Sequence, residues 1–523
     1  MTGMVASSQR AATAVGVGIL RAGGNAADAA VAVAAALNVA EPVSTGIGGD
    51  CFALFYDAQT RVVTALNGSG RAPAALTIDR LRGEQLVPLP PFHAHAITVP
   101  GACAGWFDLI ARHGTLPMAQ ILAPAIELAE RGVAIGEVTA HVWATGLEGR
   151  PGAANFAELS IDGRAPRAGE TFRNPGLART LRAIAAGGPE AFYRGEIAAA
   201  IARVIQGSGG AMTTADLAAH TSTWDHPIST TYRGLRVWEC PPNGQGLTVL
   251  LALNLLEGFE LAGQDPVGAD RMHLLVEALR VAFADTRWYV ADPRVSEVPA
   301  TELLSKEYAA RRRPLIDPRR AAGDVRRGAP VAGSDTVYFC VVDGRGNACS
   351  FINSNYMGFG TGIVPKGWGF ALQNRGHNFS LDPGHPNALV PNKRPYHTII
   401  PGLITRDDGT LYAPFGVMGG FMQPQGHVQV VVGLIDDAAP PQAALDRPRF
   451  CIEPVDGAVQ LALEDSVPAA TVAALRARGH DVVDGVSGFD RTRFGRGQII
   501  RRELDGTLVA GSESRADGCA AST

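Results

Sequence analysis

The spacing of apolar and polar residues divides the chain into a helix-rich first part and a strand-rich second part. Asn25 and Asp28 open an Ala-rich helical stretch that closes near Glu41-Pro42. A turn-rich run over 44–50 follows, and 52–56 and 62–66 then read as two short strands around a turn. Residues 105–131 carry a helical period broken at Leu116-Pro117, and 176–205 and 268–290 read as further amphipathic helices. Seven arginines and three prolines fall within 311–333, among them Arg311, Arg312, Arg313, Arg326, Arg327 and Pro330. Clustered like charge and proline disfavour regular structure, so an exposed loop is expected there. Beyond it, 336–342 and 348–352 form a hairpin signal around Asp343-Gly344-Arg345-Gly346. Strands are expected over 398–404, 411–415 and 428–435, a helix over 468–478, and last strands near 497–510. Helices and strands in this order predict an α+β layered architecture.

Composition narrows the class. The chain has 523 residues, 18% of them charged and 46% hydrophobic, with a net charge of −4. A disordered chain needs lower hydrophobicity and higher charge. The length alone would suit about three domains. Near-neutral charge gives no footprint for nucleic acid or an anionic membrane. The apolar run at 29–37 is too short to span a bilayer, which takes roughly 18 residues or more. The first 24 residues show no signal-peptide pattern, and the seven cysteines contain no Cys-x-x-Cys pair. A reducing, cytoplasmic setting is therefore expected. The twelve histidines show no metal-ligand spacing, so neither a metal nor a cofactor is expected. Gly-x-Ser-x-Gly, Walker A and His-Glu-x-x-His motifs are absent from the sequence.

One threonine stands out. Thr336 ends the Arg/Pro-rich stretch and begins a strand, in Gly333-Ser334-Asp335-Thr336. Threonine is a weak nucleophile without a base beside it. An N-terminal threonine carries that base as its own α-amine, with an ordinary pKa near 8, provided the chain is cut before it. A plain strand residue is the alternative at this point.

The sequence resembles the γ-glutamyltranspeptidase family of N-terminal-nucleophile hydrolases over nearly its whole length. The resemblance runs through Leu20-Arg-Ala-Gly-Gly-Asn-Ala-Ala-Asp-Ala-Ala30, Gly46-Ile-Gly-Gly49, Val99-Pro-Gly101, His273-Leu-Leu-Val-Glu-Ala-Leu279, Asp335-Thr336, Phe359-Gly-Thr-Gly362 and Gly416-Val-Met-Gly-Gly420. It implies a four-layer αββα sandwich forming one domain from two chains, 1–335 and 336–523, produced by self-cleavage between Asp335 and Thr336. It further implies Thr336 as nucleophile and the Gly419 and Gly420 N–H groups as oxyanion donors. Ser354, where the family carries a threonine, would orient the nucleophile's amine. The expected partners are a small-molecule amide and the chain's own two products, with higher assembly left open.

The substrate positions depart from the γ-glutamyl pattern. The position of the family's carboxylate-clamping arginine is Ser69, with Arg71 two places on. A family asparagine is Tyr356, a glutamine is Arg375, and the acid that holds the substrate ammonium is Asn378. Paired serines become His397 and Thr398, and His397 is expected to add a donor for an anion. Losing the acid and gaining a cation disfavours a γ-glutamyl ammonium and favours an anion. The pocket thus resembles that of the oxamate amidohydrolase branch, whose substrate is a small amide with an adjacent carboxylate. True γ-glutamyl transfer, a cephalosporin-acylase-like activity and an uncleaved, non-catalytic binding protein are the alternatives.

Overall fold

The computed structural model describes residues 2–323, 335–455 and 458–523. Two antiparallel sheets are stacked at its centre. The first has seven strands, in the order Cys519–Ser522, Met4–Ser7, Asp335–Val342, Ala348–Tyr356, Asp50–Asp57, Val62–Gly68 and Thr223–Asp225. The second has six: Leu508–Ser512, Arg496–Arg502, Leu411–Met418, Gly402–Thr405, Leu235–Glu239 and Ile228–Tyr232. Their inner faces meet through Phe52, Leu54, Tyr338, Cys340, Ile352, Leu403, Met418 and Ile500, all buried. Gly416 is required at this contact, because a Cβ there would lie 2.5 Å from the Tyr338 ring.

Helices cover both outer faces, which completes an αββα sandwich. Ala26–Ala40 is buried on every side against the first sheet. Its start is fixed by a reciprocal cap, in which the Asn25 side chain accepts from the Ala27 and Asp28 N–H groups and Asp28 accepts from the Asn25 N–H. Gly246–Leu256, Ala269–Tyr289 and Met422–Ile435 pack on the second sheet.

Three expectations are corrected. Residues 428–435 lie in the helix Met422–Ile435: their valines favour strand intrinsically, but packing against the second sheet overrides that preference. The 269–289 helix is not amphipathic, since residues 271–286 are buried apart from Arg280. The Arg-rich stretch does not begin as an exposed loop. Arg311 and Arg312 end the helix Lys306–Arg312; Arg312 pairs with Asp285, and Arg313 donates to the carbonyls of Asn254 and Leu255. Arg326, Arg327, Pro330, Gly333 and Ser334 lie outside the described residues.

Candidate active site

Thr336 is the second residue of a central strand and is fully buried. Its neighbour strand carries a bulge. Val337 pairs with Asn353 and Asp335 with Tyr356, so Ser354 and Asn355 together stand opposite Thr336. A bulge re-aims a side chain, and here the Ser354 hydroxyl lies 3.0 Å from Thr336 Oγ1. It also accepts from the Tyr356 N–H at 2.8 Å and from Arg375 Nη2 at 3.1 Å.

Arg375 extends this network. Its Nη1 donates to Thr398 Oγ1 at 2.6 Å, and its guanidinium lies 4.4 Å from the centre of the Tyr356 ring. The side chain is fully buried, and its Nε has no hydrogen-bond partner. Burial pushes its pKa down to about 10, while Asp50 and Tyr356 act to raise it. His397 behaves differently from the free donor expected of it. Its Nε2 is 3.0 Å from Asp50 Oδ2, and its Nδ1 accepts from the Ile399 N–H. These bonds place the proton on Nε2 and occupy both nitrogens. Burial, followed by the nearby Arg375, holds His397 near pKa 3 and therefore neutral at pH 7. Asn378 donates to the Tyr396 carbonyl. Arg71 is held elsewhere, donating to the Thr221 carbonyl.

The Gly419-Gly420 pair ends the Leu411–Met418 strand, with φ of 133° and 59°. A side chain would be strained in that backbone. Neither N–H donates to another group among the described residues. Gln245 fixes the turn by donating to the carbonyls of Gly420 and Thr398, and its Oε1 accepts from the Tyr396 hydroxyl. Gly419 also lines a groove of about 920 Å³ with Phe92, Arg150, Met357, Phe421 and Glu453.

Two residue groups escaped the sequence reading. Asp50 accepts from the Gly70 and Gly101 N–H groups and from Gln373, besides His397, and stands in register opposite Ser354. Arg287 lies with its guanidinium 3.4 Å from the Phe421 ring centre and 5.5 Å from that of Tyr396. No motif or charge spacing marked either one. The histidines carry no metal-ligand spacing along the sequence, yet the fold draws two of them together. His273, Glu277 and His480 bring ligand atoms within 4.8 Å of one another. His480 lies far along the chain, so only the fold reveals the cluster. All three already have protein partners: His273 bonds His480 and the Asp317 carbonyl, and Glu277 bonds Arg280 and the Ala322 N–H.

The mixed α+β architecture, with helices on both faces of two stacked sheets, is that of the N-terminal-nucleophile hydrolases, and comparisons with known proteins place the chain in that class. The chain belongs to the γ-glutamyltranspeptidase family, whose sequence profile (Gamma-glutamyltranspeptidase) matches residues 12–523. It is 36% identical to the glutathione hydrolase-like YwrD proenzyme of Bacillus subtilis, over 99% of this chain and 98% of that one. It is also 36% identical to the oxamate amidohydrolase proenzyme of Klebsiella pneumoniae, with the same coverage. Among solved structures, the cephalosporin acylase from Bacillus halodurans superposes with a TM-score of 0.92 at 46% identity, covering 99% of this chain and 95% of that one. No helix among the described residues is long and apolar enough to cross a membrane.

Proposed function

We propose that the chain matures by cleaving itself between Asp335 and Thr336 into 1–335 and 336–523, and then hydrolyses amides of small, carboxylate-bearing acyl groups. In maturation the Thr336 hydroxyl attacks the Asp335 carbonyl carbon, the peptide nitrogen leaves as the new α-amine, and water hydrolyses the resulting ester. In turnover that amine takes the hydroxyl proton as Oγ1 attacks the substrate carbonyl. The leaving amine departs protonated, and water releases the acyl group from Thr336. Gly419 and Gly420 N–H groups stabilise the developing oxyanion, and Ser354 orients the nucleophile.

The observation that carries the substrate class is Arg375. It is a buried guanidinium bonded to two neutral hydroxyls, with a free Nε, one hydroxyl removed from Thr336. A substrate carboxylate beside the scissile carbonyl supplies its missing partner. Asn378, uncharged, offers no counter-ion for a γ-glutamyl ammonium. The Klebsiella pneumoniae relative, an oxamate amidohydrolase by name, has this chemistry. The groove beyond Gly419 and the likeness to a cephalosporin acylase favour a second reading, in which the leaving amine is large.

Intact mass of the purified protein under denaturing conditions, followed by an amide panel, tests the proposal. Two polypeptides joined at 335/336 are expected, together with turnover of oxamate in preference to acetamide and γ-glutamyl anilide. Thr336→Ala should give one uncut, inactive chain. Cleavage at 335/336 in that variant, or an uncut and inactive unaltered protein, would overturn it.

A further inference from the structure

Away from the nucleophile, two histidines and a glutamate meet beside the segment 317–322. His273 and Glu277 stand four residues apart on the helix Ala269–Tyr289, on one face of it. His480 comes from the turn between the helix Ala469–Ala477 and the strand Asp481–Val486. One ligand atom of each lies within 4.8 Å of the other two. His273 and Glu277 are fully buried, and His480 keeps 9% of its surface exposed, an edge from which an ion can enter.

The hydrogen bonds sort the protons. His273 Nε2 lies 2.7 Å from the Asp317 carbonyl oxygen, which only accepts, so Nε2 carries the proton and Nδ1 turns a lone pair towards His480. His480 Nε2, 2.7 Å from that Nδ1, is then the donor. Burial first, and then His273, Arg280 and Arg478, hold His480 near pKa 4, so its ring is neutral at pH 7. A histidine whose second nitrogen donates to a backbone carbonyl is oriented as metal-binding histidines are. Glu277 is held in the same manner. Its Oε1 accepts from Arg280 at 2.6 Å and its Oε2 from the Ala322 N–H at 2.9 Å, and each oxygen retains a further lone pair. The neighbouring cations are engaged: Arg280 also donates to the Ala322 carbonyl, and Arg478 pairs with Asp270. Two neutral imidazoles and a carboxylate form a zinc donor set, whereas magnesium and calcium take oxygen ligands. Nitrogens bound to one tetrahedral zinc lie about 3.3 Å apart, so the contact between the rings has to open by only about 0.6 Å.

We infer that His273 Nδ1, His480 Nε2 and a Glu277 carboxylate oxygen bind a zinc ion, with water in the fourth position. The ion takes the place of the proton between the two rings, and that proton moves to His480 Nδ1, so both imidazoles stay neutral. Two of the ligands precede residue 336 and the third follows it. The ion therefore fastens the two parts of the chain to each other and, through the bonds to Asp317 and Ala322, holds the segment 317–322 against the helix. Only the statement that these parts become two polypeptides rests on the cleavage proposed above.

The test uses the full protein, stripped with a chelator, and zinc chloride as the probe. Calorimetric titration should find one more zinc per chain than in His480→Gln, with a Kd below about 1 μM. Zinc at about a hundredfold over that Kd should raise the thermal midpoint by about 3 °C or more, and magnesium at the same concentration should leave it unchanged. His480→Gln keeps an N–H donor for His273, and Glu277→Gln keeps an acceptor for Ala322, but each removes a zinc ligand. Both should weaken binding at this site about a hundredfold or more. Zinc bound equally by the unaltered protein and both variants, a midpoint that zinc does not move, or one that magnesium moves as far would overturn the inference and leave a structural pair of histidines. Should the variants not fold, cobalt(II) added to the unaltered protein decides: the visible absorption of tetrahedral cobalt, abolished by zinc, is expected, and its absence would overturn the inference. The same titration of Thr336→Ala separates the two readings. Zinc bound by an uncut chain upholds the site, whatever becomes of the cleavage.

Discussion

Arg375→Met separates the cost of the buried arginine from its use. Burial lowers the arginine from its ordinary 12.5 to about 10, which places about 3 kcal/mol against the charged form in the folded protein. Opposing this are the bonds from the charged guanidinium to Ser354 and Thr398, worth about 1.5 kcal/mol each. The two sides nearly cancel. Methionine keeps much of the volume and removes the charge. The expected change in stability is therefore within about 1 kcal/mol, or about 2 °C in the thermal midpoint of a chain this long. The expected change in activity is much larger. A charge-assisted bond to a substrate carboxylate is worth about 1.5–3 kcal/mol, so kcat/KM for oxamate should fall by between tenfold and a hundredfold or more, with little change for acetamide. The assay is thermal denaturation of the matured protein at fixed concentration, together with ammonia release from both amides. A midpoint lowered by more than about 5 °C, with both amides losing activity equally, would show that Arg375 is a structural cation and refute the reasoning.

Ser354→Ala removes the hydroxyl shared by Thr336, Tyr356 and Arg375, and should slow both self-cleavage and turnover about tenfold or more, read by gel time course and kcat. His220, His397 and His427 are each held near pKa 3 by burial, well below the ordinary 6.5. The unfolded chain therefore takes up protons first as pH falls. Stability should be constant above about pH 7 and decline below 6.5 by up to about 1.4 kcal/mol per pH unit for each group, and a thermal midpoint unchanged from pH 7 to 5 would contradict this. Gly101→Ala would bring a Cβ within 2.0 Å of the Gly68 carbonyl oxygen and 3.0 Å of Asp50, and should cost about 3 kcal/mol or prevent folding. Gly18→Ala meets nothing within 4 Å and should stabilise its helix by up to about 1 kcal/mol, both changes being read from thermal midpoints.

Much of the fold was legible because local chemistry and packing agree. The Asn25/Asp28 cap, the hairpin around residues 343–346 and the helix over 468–478 all carry their own signals. The misreadings fall where burial on all sides erases periodicity. Gly246–Leu256, which no pattern marked in the sequence, is buried throughout and has no amphipathic stripe to find, while the valines of 428–435 imitate a strand. At the site, the Thr336 position and the glycine turn are local motifs. The bulge that presents Ser354, the capture of His397 by Asp50 and the exposure of Arg287 to a ring wall depend on contacts between distant segments. A linear reading assigns such residues a chemical type but not a direction, which is why His397 was expected to donate freely.

The order of strands in the seven-stranded sheet has a further consequence. Strands from before and after residue 336 are interleaved: Cys519–Ser522 and Asp335–Val342 flank Met4–Ser7, and Ala348–Tyr356 lies against Asp50–Asp57. The proposed cut at 335/336 would therefore separate no preformed bodies, because each product would lack the neighbours that complete its half of the sheet. Before the cut, folding is a unimolecular search. After it, recovery from unfolding requires two different polypeptides to meet, and its rate depends on their concentration. The proposed maturation would act as a ratchet: the enzyme would be assembled easily only once, and its working lifetime would be set by how slowly it unfolds rather than by how well it refolds.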